Sequence, residues 1–429
     1  MGTFKHKNRV PTLDMSDICV IGAGPAGLMA AIQAGKLGVP TVVLEAGKVP
    51  CQKLLLTGGG RCNLSHAGSP AEILDRLRPK DRFLRHAIHT FPPDWVIRFF
   101  GELGLETVTE PDGRIFPRSN LALDVKDALL EAAKMANVKV MTGCKVRRIR
   151  IDGQRFVIES EKGQFLANGL VLATGGLSYP QTGSTGDGLR LAQGLGHKIV
   201  SPRPGLVPLV SKELWPRDLA GISLQEVRLV AEGQRRFVES GPLVFTEDGI
   251  GGPAALDLSR DLAGDLAGGQ AHIEVHLDLA PALCQESLER MMVQWANQTG
   301  SRQVLTCMAQ VLPRRLAEVV LEKAGCSRSV LASQLDRKTR FRIMKAVKAM
   351  PLTITGTRPI GQAMITIGGV DTRQIDPKTM GSMVCPGLFF AGEILDVDGP
   401  CGGYNLQICW STGALAGRSA AQAATTQGR

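Results

Sequence analysis

Asp17-Ile-Cys-Val-Ile21-Gly22-Ala-Gly24-Pro-Ala-Gly27-Leu28 is the stretch that decides the fold. Four apolar residues between a charge and a glycine read as a buried strand. Leu28, Ala31, Ile32 and Gly35 then recur at helical spacing, and Val39-Pro-Thr-Val-Val-Leu44 reads as a second buried strand ending at Glu45. This is a strand–helix–strand unit whose strands run parallel with a right-handed crossover. The stretch from Ile18 to Gly35 carries no charge, but Gly22, Gly24, Pro25, Gly27 and Gly35 break it. It therefore does not read as a membrane helix or a signal-peptide core.

Each glycine in Gly22-x-Gly24-x-x-Gly27 has a physical task. Gly22 makes a tight turn, Gly24 lets the backbone approach a pyrophosphate, and Gly27 lets helix and strand pack closely. The helix N-terminus aims free N–H groups at the anion. Glu45 would accept hydrogen bonds from ribose hydroxyls, which selects an unphosphorylated ribose and leaves FAD or NAD as the ligand. Only one such unit is present, because Gly183-Ser-Thr-Gly-Asp-Gly188 lacks a preceding apolar strand. Two further apolar segments ending in glycine, Gly169–Gly176 and Gly387–Gly392, look like additional arrivals at one ligand. A long ligand met by three segments is better described as FAD.

Composition narrows the class further. The chain has 429 residues, 44% of them hydrophobic, enough for packed domains and incompatible with disorder or a coiled coil. Lys and Arg number 50 against 40 acidic residues, a net +10 that fits solubility or a polyanionic partner. The ten cysteines include no Cys-x-x-Cys and no metal-ligand spacing, so no metal is expected. Reduced thiols and the absence of a recognisable targeting signal point to the cytoplasm, with no membrane involvement. Cys51 and Cys62 have ten residues between them, too many for the redox pair of a disulfide reductase, and are expected unpaired.

Five more segments carry a family resemblance: Leu54-Leu-Leu-Thr-Gly-Gly-Gly-Arg-Cys-Asn63, Ala173-Thr-Gly-Gly-Leu-Ser178, Gly183–Gly188, Gly368-Gly-Val-Asp371, and the run from Pro386 to Gln407. Over roughly residues 17 to 420 the chain resembles the HI0933-like flavoproteins, also called BaiN-like or aminoacetone-oxidase-like NAD(P)/FAD-dependent oxidoreductases. The resemblance implies an α/β fold: a split FAD-binding Rossmann-like domain interrupted by an inserted β-rich domain that itself carries a helical insertion. The expected parts are residues 1–200 and 363–429 for the FAD-binding domain, 201–280 and 351–362 for the β-rich domain, and 281–350 for the helices. Strand-like runs at Gly205–Val210, Val227–Ala231 and Ile273–Leu277, and helical patterning over 281–350, agree with that division.

Carried over residue by residue, the resemblance implies that Gly22, Gly24, Pro25, Ala26 and Gly27 hold the pyrophosphate and that Glu45, with Ala46 beside it, meets the ribose. Lys53, Gly60, Arg61, Cys62 and Asn63 would line the loop near diphosphate and flavin. Val146 would offer backbone to adenine, and Ala173, Thr174 and Gly175 would pass close to the nucleotide. Gly392, Glu393 and Asp396 would reach the ribityl and phosphate region. Gly403, Tyr404, Asn405 and Leu406 would open the last helix beneath the isoalloxazine, where N–H donors stabilise the negative charge of reduced flavin. One departure is visible: Glu247 stands where the family usually has His, and Gly251 where it has Ser, so a role for that His does not transfer. Glu247 reads as a surface loop residue.

The implied chemistry is NAD(P)H-dependent reduction of a conjugated C=C bond, enone reduction or amine oxidation, with dihydrouridine formation in ribosomal RNA among the family's assigned activities. A flavin-bearing RNA-binding factor is the non-enzymatic alternative. Reduction needs a proton donor opposite the hydride, and Cys401, Tyr404, Tyr179, Asp396 and Asp398 are the candidates, Cys401 and Tyr404 foremost. RNA has support in the residues as well. Lys338, Arg342, Lys345 and Lys348 recur at helical spacing on one face, with Phe341, Met344 and Val347 expected on an apolar face. A second basic run comprises Arg76, Arg78, Lys80, Arg82 and Arg85.

Overall fold

The computed structural model describes residues 16–79, 82–232, 235–270, 272–298 and 301–427. It divides into two compact units, Met1–Arg203 with Ile365–Arg429, and Pro204–Met364.

The first unit is built on a seven-stranded sheet. Strand Ser16–Ile21 lies between Thr41–Leu44 and Gly163–Leu172, parallel to both, with Val20 opposite Val43 and Val171. The sheet is buried on both faces here, as crossover connections require, so these strands read as apolar runs rather than alternations. Gly163–Leu172 is shared along its length. Its first half pairs antiparallel with Arg155–Ser160, while Leu170–Leu172 pair parallel with Leu388–Phe390 from the far end of the chain. That second pairing closes the split domain.

Helix Pro25–Lys36 is buried from Ala26 to Ala34 and packs against the last helix, Tyr404–Gln427. A Cβ on Gly413 would lie 2.5 Å from the Ala26 carbonyl oxygen, and one on Gly417 would lie 2.0 Å from that of Ala30, so the two helices touch backbone to backbone. The last helix begins at Tyr404, within the segment expected to open it. Gln407 N–H already donates to the Gly403 carbonyl, and Trp410 Nε1 donates to Leu64 O at 2.8 Å, anchoring that first stretch in the core. Among the described residues no helix is long and apolar enough to cross a membrane.

Residues 71–135 are not uniformly helical. Strands Ser65–His66, Thr107–Thr109 and Arg114–Pro117 form a small antiparallel sheet among the helices.

The second unit is a closed six-stranded antiparallel barrel, ordered Leu209–Ser211, Gly249–Gly251, Arg236–Thr246, Ser223–Glu232, Ile273–Asp278 and Met350–Thr357. Alternation puts Leu224, Val227, Leu229 and Ala231 inside. The expected strand Gly205–Val210 is broken: Leu206 has φ +52° and Pro208 follows, so pairing resumes only at Leu209. Among the described residues four α-helices, Gln285–Gln298, Val304–Met308, Arg314–Lys323 and Arg337–Lys348, lie between the last two strands. They share one apolar core with the barrel, so the helical stretch and the β-rich stretch are one body.

Candidate functional site

The glycine turn sits at the carboxyl end of the central strand, where ligands bind in open α/β sheets. Gly22 has φ +103°, and a Cβ there would lie 2.5 Å from the Ala173 carbonyl oxygen. A Cβ on Gly27 would lie 1.9 Å from the Gly22 carbonyl oxygen. Gly24, by contrast, has nothing within 4 Å of where its Cβ would be. Two of the glycines thus serve protein packing, and the third faces open space at the N-cap of helix Pro25–Lys36. That helix has no side-chain cap, which leaves its first N–H groups to a ligand.

A cleft opens from this turn. It holds about 990 Å³ of non-atom space, part of it open solvent. Gly22, Gly24, Pro25, Ala26, Glu45, Ala46, Lys53, Val146, Ala173, Thr174, Gly175 and Glu393 all line it, as do Thr182–Thr185 and Asp187, to which no role was assigned from sequence. The Gly183–Gly188 segment was legible as a motif but not as a site, because a short 3-10 turn at Pro180–Thr182 precedes it instead of a strand.

The cleft is wired from distant segments. Glu45 accepts from Ala23 N–H at 2.7 Å and from Gly47 N–H at 2.6 Å, one bond to each carboxylate oxygen, and each oxygen keeps a lone pair for a hydroxyl. Lys53 Nζ donates to Glu393 at 2.5 Å and to Ser178 Oγ at 2.6 Å. Glu393 also accepts from Ser178 Oγ and from Thr366 N–H, both at 2.9 Å. Burial works against ionisation of Asp187, but hydrogen bonds from Lys145, Arg190 and Thr185 outweigh it and hold its carboxyl at about 2. Cys409 also lines the cleft, with its thiol pushed up to about 12 by burial and then by Glu393.

A second group of residues surrounds the start of the last helix. Gly402 and Gly403 both have positive φ, and a Cβ on Gly403 would lie 2.3 Å from Ser65 O and 2.8 Å from Asn63 Oδ1. His66, absent from the sequence reading, has Nδ1 3.0 Å from Gly402 O and stacks on the Tyr404 ring at 4.7 Å between centroids. Cys401 is half-buried and Tyr404 is buried in this group. Burial, and then Asp398, raise the Asp396 carboxyl above its ordinary range.

Several expected ligand contacts fall elsewhere. Cys62 is fully buried and does not line the cleft; burial pushes its thiol up to about 12. The Arg61 guanidinium lies 2.9 Å from Glu110 and 4.0 Å over the Phe116 ring. The Asn405 amide is engaged with the backbone of Gly399 and Pro400, so it shapes the loop before the helix. Gly60, Asn63, Gly392, Gly403 and Leu406 do not line the cleft either. Lys348 is removed from the basic face, because it pairs with Asp278 at 2.6 Å and donates to Ala280 and Leu283 carbonyls. Phe341 is not on the apolar side of its helix; it is 60% exposed. Lys80 lies outside the described residues. Glu247 occupies an exposed turn, as read from sequence.

The residues fit FAD. Thr174 Oγ1 is buried in the cleft wall with no hydrogen-bond partner among the described residues. An elongated nucleotide supplies such a partner, and the uncapped helix and the bare Gly24 suit its pyrophosphate.

Residues 16–419 match the HI0933-like protein Rossmann domain family. The chain belongs to that family. As an HI0933-like protein it is an FAD-dependent oxidoreductase. It is 31% identical to the 3-dehydro-bile acid delta(4,6)-reductase of Clostridium scindens, over 95% of this chain and 100% of the relative. It is 32% identical to the ribosomal RNA dihydrouridine synthase of Haemophilus influenzae, over 92% and 96% respectively. Its fold is similar to that of 3-ketosteroid delta1-dehydrogenase from Sterolibacterium denitrificans, with a TM-score of 0.54, 13% identity and coverage of 96% and 100%. It is also similar to 3-ketosteroid-delta4-(5alpha)-dehydrogenase from Rhodococcus jostii, with a TM-score of 0.51, 16% identity and coverage of 97% and 98%.

Proposed function

We propose that this HI0933-like protein is a cytoplasmic NAD(P)H-dependent reductase of a conjugated C=C bond, and that its substrate is a uracil ring in ribosomal RNA. The observation that carries the reading is that two relatives aligned over nearly the whole chain bear names for reductions: a bile acid delta(4,6)-reductase, and a synthase of dihydrouridine, the reduced form of uridine. A net charge of +10 favours the RNA substrate over a small enone.

FAD, when bound, supplies a two-electron carrier that takes hydride from a nicotinamide and gives it to the substrate. The Gly22–Gly27 turn and the helix it opens hold the pyrophosphate, and Glu45 holds the adenosine ribose. Lys53 and Glu393 fix the middle of the cleft. The N-terminus of helix Tyr404–Gln427, shaped by Gly402, Gly403 and Asn405, would offer its N–H groups to the flavin and favour the negative charge of its reduced form. Reduction adds hydride to one carbon and a proton to its neighbour. Cys401 is the candidate acid, since it is half-buried at this turn while Tyr404 is packed under His66. NAD(P)H binds transiently, because the chain carries one dinucleotide fingerprint.

The test is anaerobic addition of NADPH or NADH to the yellow protein, followed by a ribosomal RNA fragment. Bleaching by the nicotinamide, return of colour with RNA and dihydrouridine in the product are expected. No bleaching by either donor removes the reductase reading. Return of colour only with a 3-keto enone steroid assigns the enzyme to small molecules, and bleaching by a primary amine assigns it to oxidation.

A further inference from the structure

The helix Arg337–Lys348 turns Ile343, Met344, Ala346 and Val347 inward, and the carboxylate of Asp336 caps its start by accepting from Thr339 N–H at 2.6 Å. Its rotation about its own axis is therefore fixed by the core. The outward stripe is Lys338, Phe341, Arg342 and Lys345, at spacings of three, four and seven, with Arg337 one turn before Phe341. Phe341 is 60% exposed, and the helix places Lys338 and Lys345 about one turn to either side of it. Among the described residues no salt bridge joins Arg337, Lys338, Arg342 or Lys345 to an acid, and the Arg342 guanidinium donates to the Thr339 hydroxyl at 3.1 Å. Asp336 caps the helix, and after the hydrogen bonds from Thr339, Arg342 and Lys338 help to lower its carboxyl without forming a salt bridge to it. A large aromatic left in water on a helix face rich in exposed cations is complementary to a ligand that presents flat apolar rings on a polyanionic strand.

We infer that Phe341 is a stacking platform for an unpaired base of single-stranded RNA, with Arg337, Lys338, Arg342 and Lys345 gripping the flanking phosphates. The inference rests on the RNA reading above and adds the strand type and the side chain that engages it. Every base has a face that stacks on an aromatic ring, but only an unpaired base can offer it, and side chains cannot read the deep major groove of an RNA duplex. The face therefore selects loops and single strands without reading sequence.

The test uses the full-length, FAD-loaded protein, a fluorescent single-stranded RNA of about 16 nucleotides and the same strand annealed to its complement, at low and at moderate salt. The expected results are tighter binding of the single strand, and a loss of roughly 5- to 100-fold in that affinity for Phe341→Ala and for Phe341→Leu. Phe341→Trp retains wild-type affinity. Because Phe341 neutralises no phosphate, the salt dependence of the Ala variant stays that of the wild type, whereas Lys338→Glu with Arg342→Glu flattens it. The exposed position means that melting temperature is unchanged in every Phe341 variant. If wild type binds RNA but Phe341→Ala binds equally tightly, stacking is overturned and the RNA substrate survives. If wild type shows no salt-sensitive affinity for RNA and instead retains poly-glutamate, the face serves an acidic protein, and both readings fall.

Discussion

The Lys53 ammonium lies 2.5 Å from the Glu393 carboxylate, although 340 residues separate them in the chain. Lys53 follows the first strand–helix–strand unit, and Glu393 follows the strand that re-enters the sheet after the barrel. The contact joins the two sequence halves of the FAD-binding unit inside the cleft. Both side chains are mostly buried, at 22% and 18% exposure.

Breaking this pair from one side leaves a poorly solvated charge. Lys53→Met is expected to cost about 1–3 kcal/mol of stability, read by urea unfolding of the FAD-free protein. Joined with Glu393→Gln, the double variant should recover part of that loss, with a coupling of about 1 kcal/mol or more. Strictly additive losses would mean the pair contributes nothing.

The three glycines of the turn should separate by readout. Gly27→Ala sets a Cβ 1.9 Å from the Gly22 carbonyl oxygen and is expected to lower the melting temperature of the FAD-free protein. Gly24→Ala meets no protein atom and should leave that temperature unchanged while weakening FAD retention at least tenfold. Equal melting losses for both would remove the assignment of Gly24 to the ligand.

Asp187 gives a pH dependence of known sign. Its folded value, about 2, lies below the ordinary 3.8. It therefore contributes stability in full above the ordinary value and loses it as pH falls toward about 2. Asp187→Asn should flatten the acid limb of a stability-versus-pH curve over that window. An unchanged limb would place the titration elsewhere.

No disulfide joins any of the ten cysteines, and burial raises the thiols of Cys51, Cys62 and Cys409, the last two to about 12. At pH 8 iodoacetamide should alkylate exposed Cys284 first and leave those three unmodified until the protein unfolds. Early alkylation of Cys51 or Cys62 would reopen the dithiol chemistry that their spacing excludes.

The Rossmann unit was legible because its signals are local: a strand, a glycine turn and a helix within a short span, where spacing alone sets geometry. The barrel was legible only as strand-like runs. Its closure depends on Leu209–Ser211 meeting Met350–Thr357 across the sequence, and Leu206 and Pro208 interrupt the pattern that Gly205–Val210 suggests. His66 went unseen because a lone histidine in a loop carries no periodicity. Lys348 and Phe341 were misplaced because spacing puts residues on a helix face but does not say what stands opposite. Asp278 claimed Lys348, while Ile343 and Val347 filled the core and left Phe341 outside.

By itself the sequence determined a Rossmann-type strand–turn–helix–strand unit, the acid at the end of its second strand and the segments that return to it, since these follow from backbone conformation and from charge carried by neighbouring residues. Only the tertiary structure decided that Lys53, Ser178, Thr366 and Glu393 form one network, that Cys62 and Asn405 serve the scaffold, and that an aromatic side chain stands bare among cations. Those outcomes depend on which distant side chains compete for the same space and the same charge, and that competition is settled only when the chain has packed.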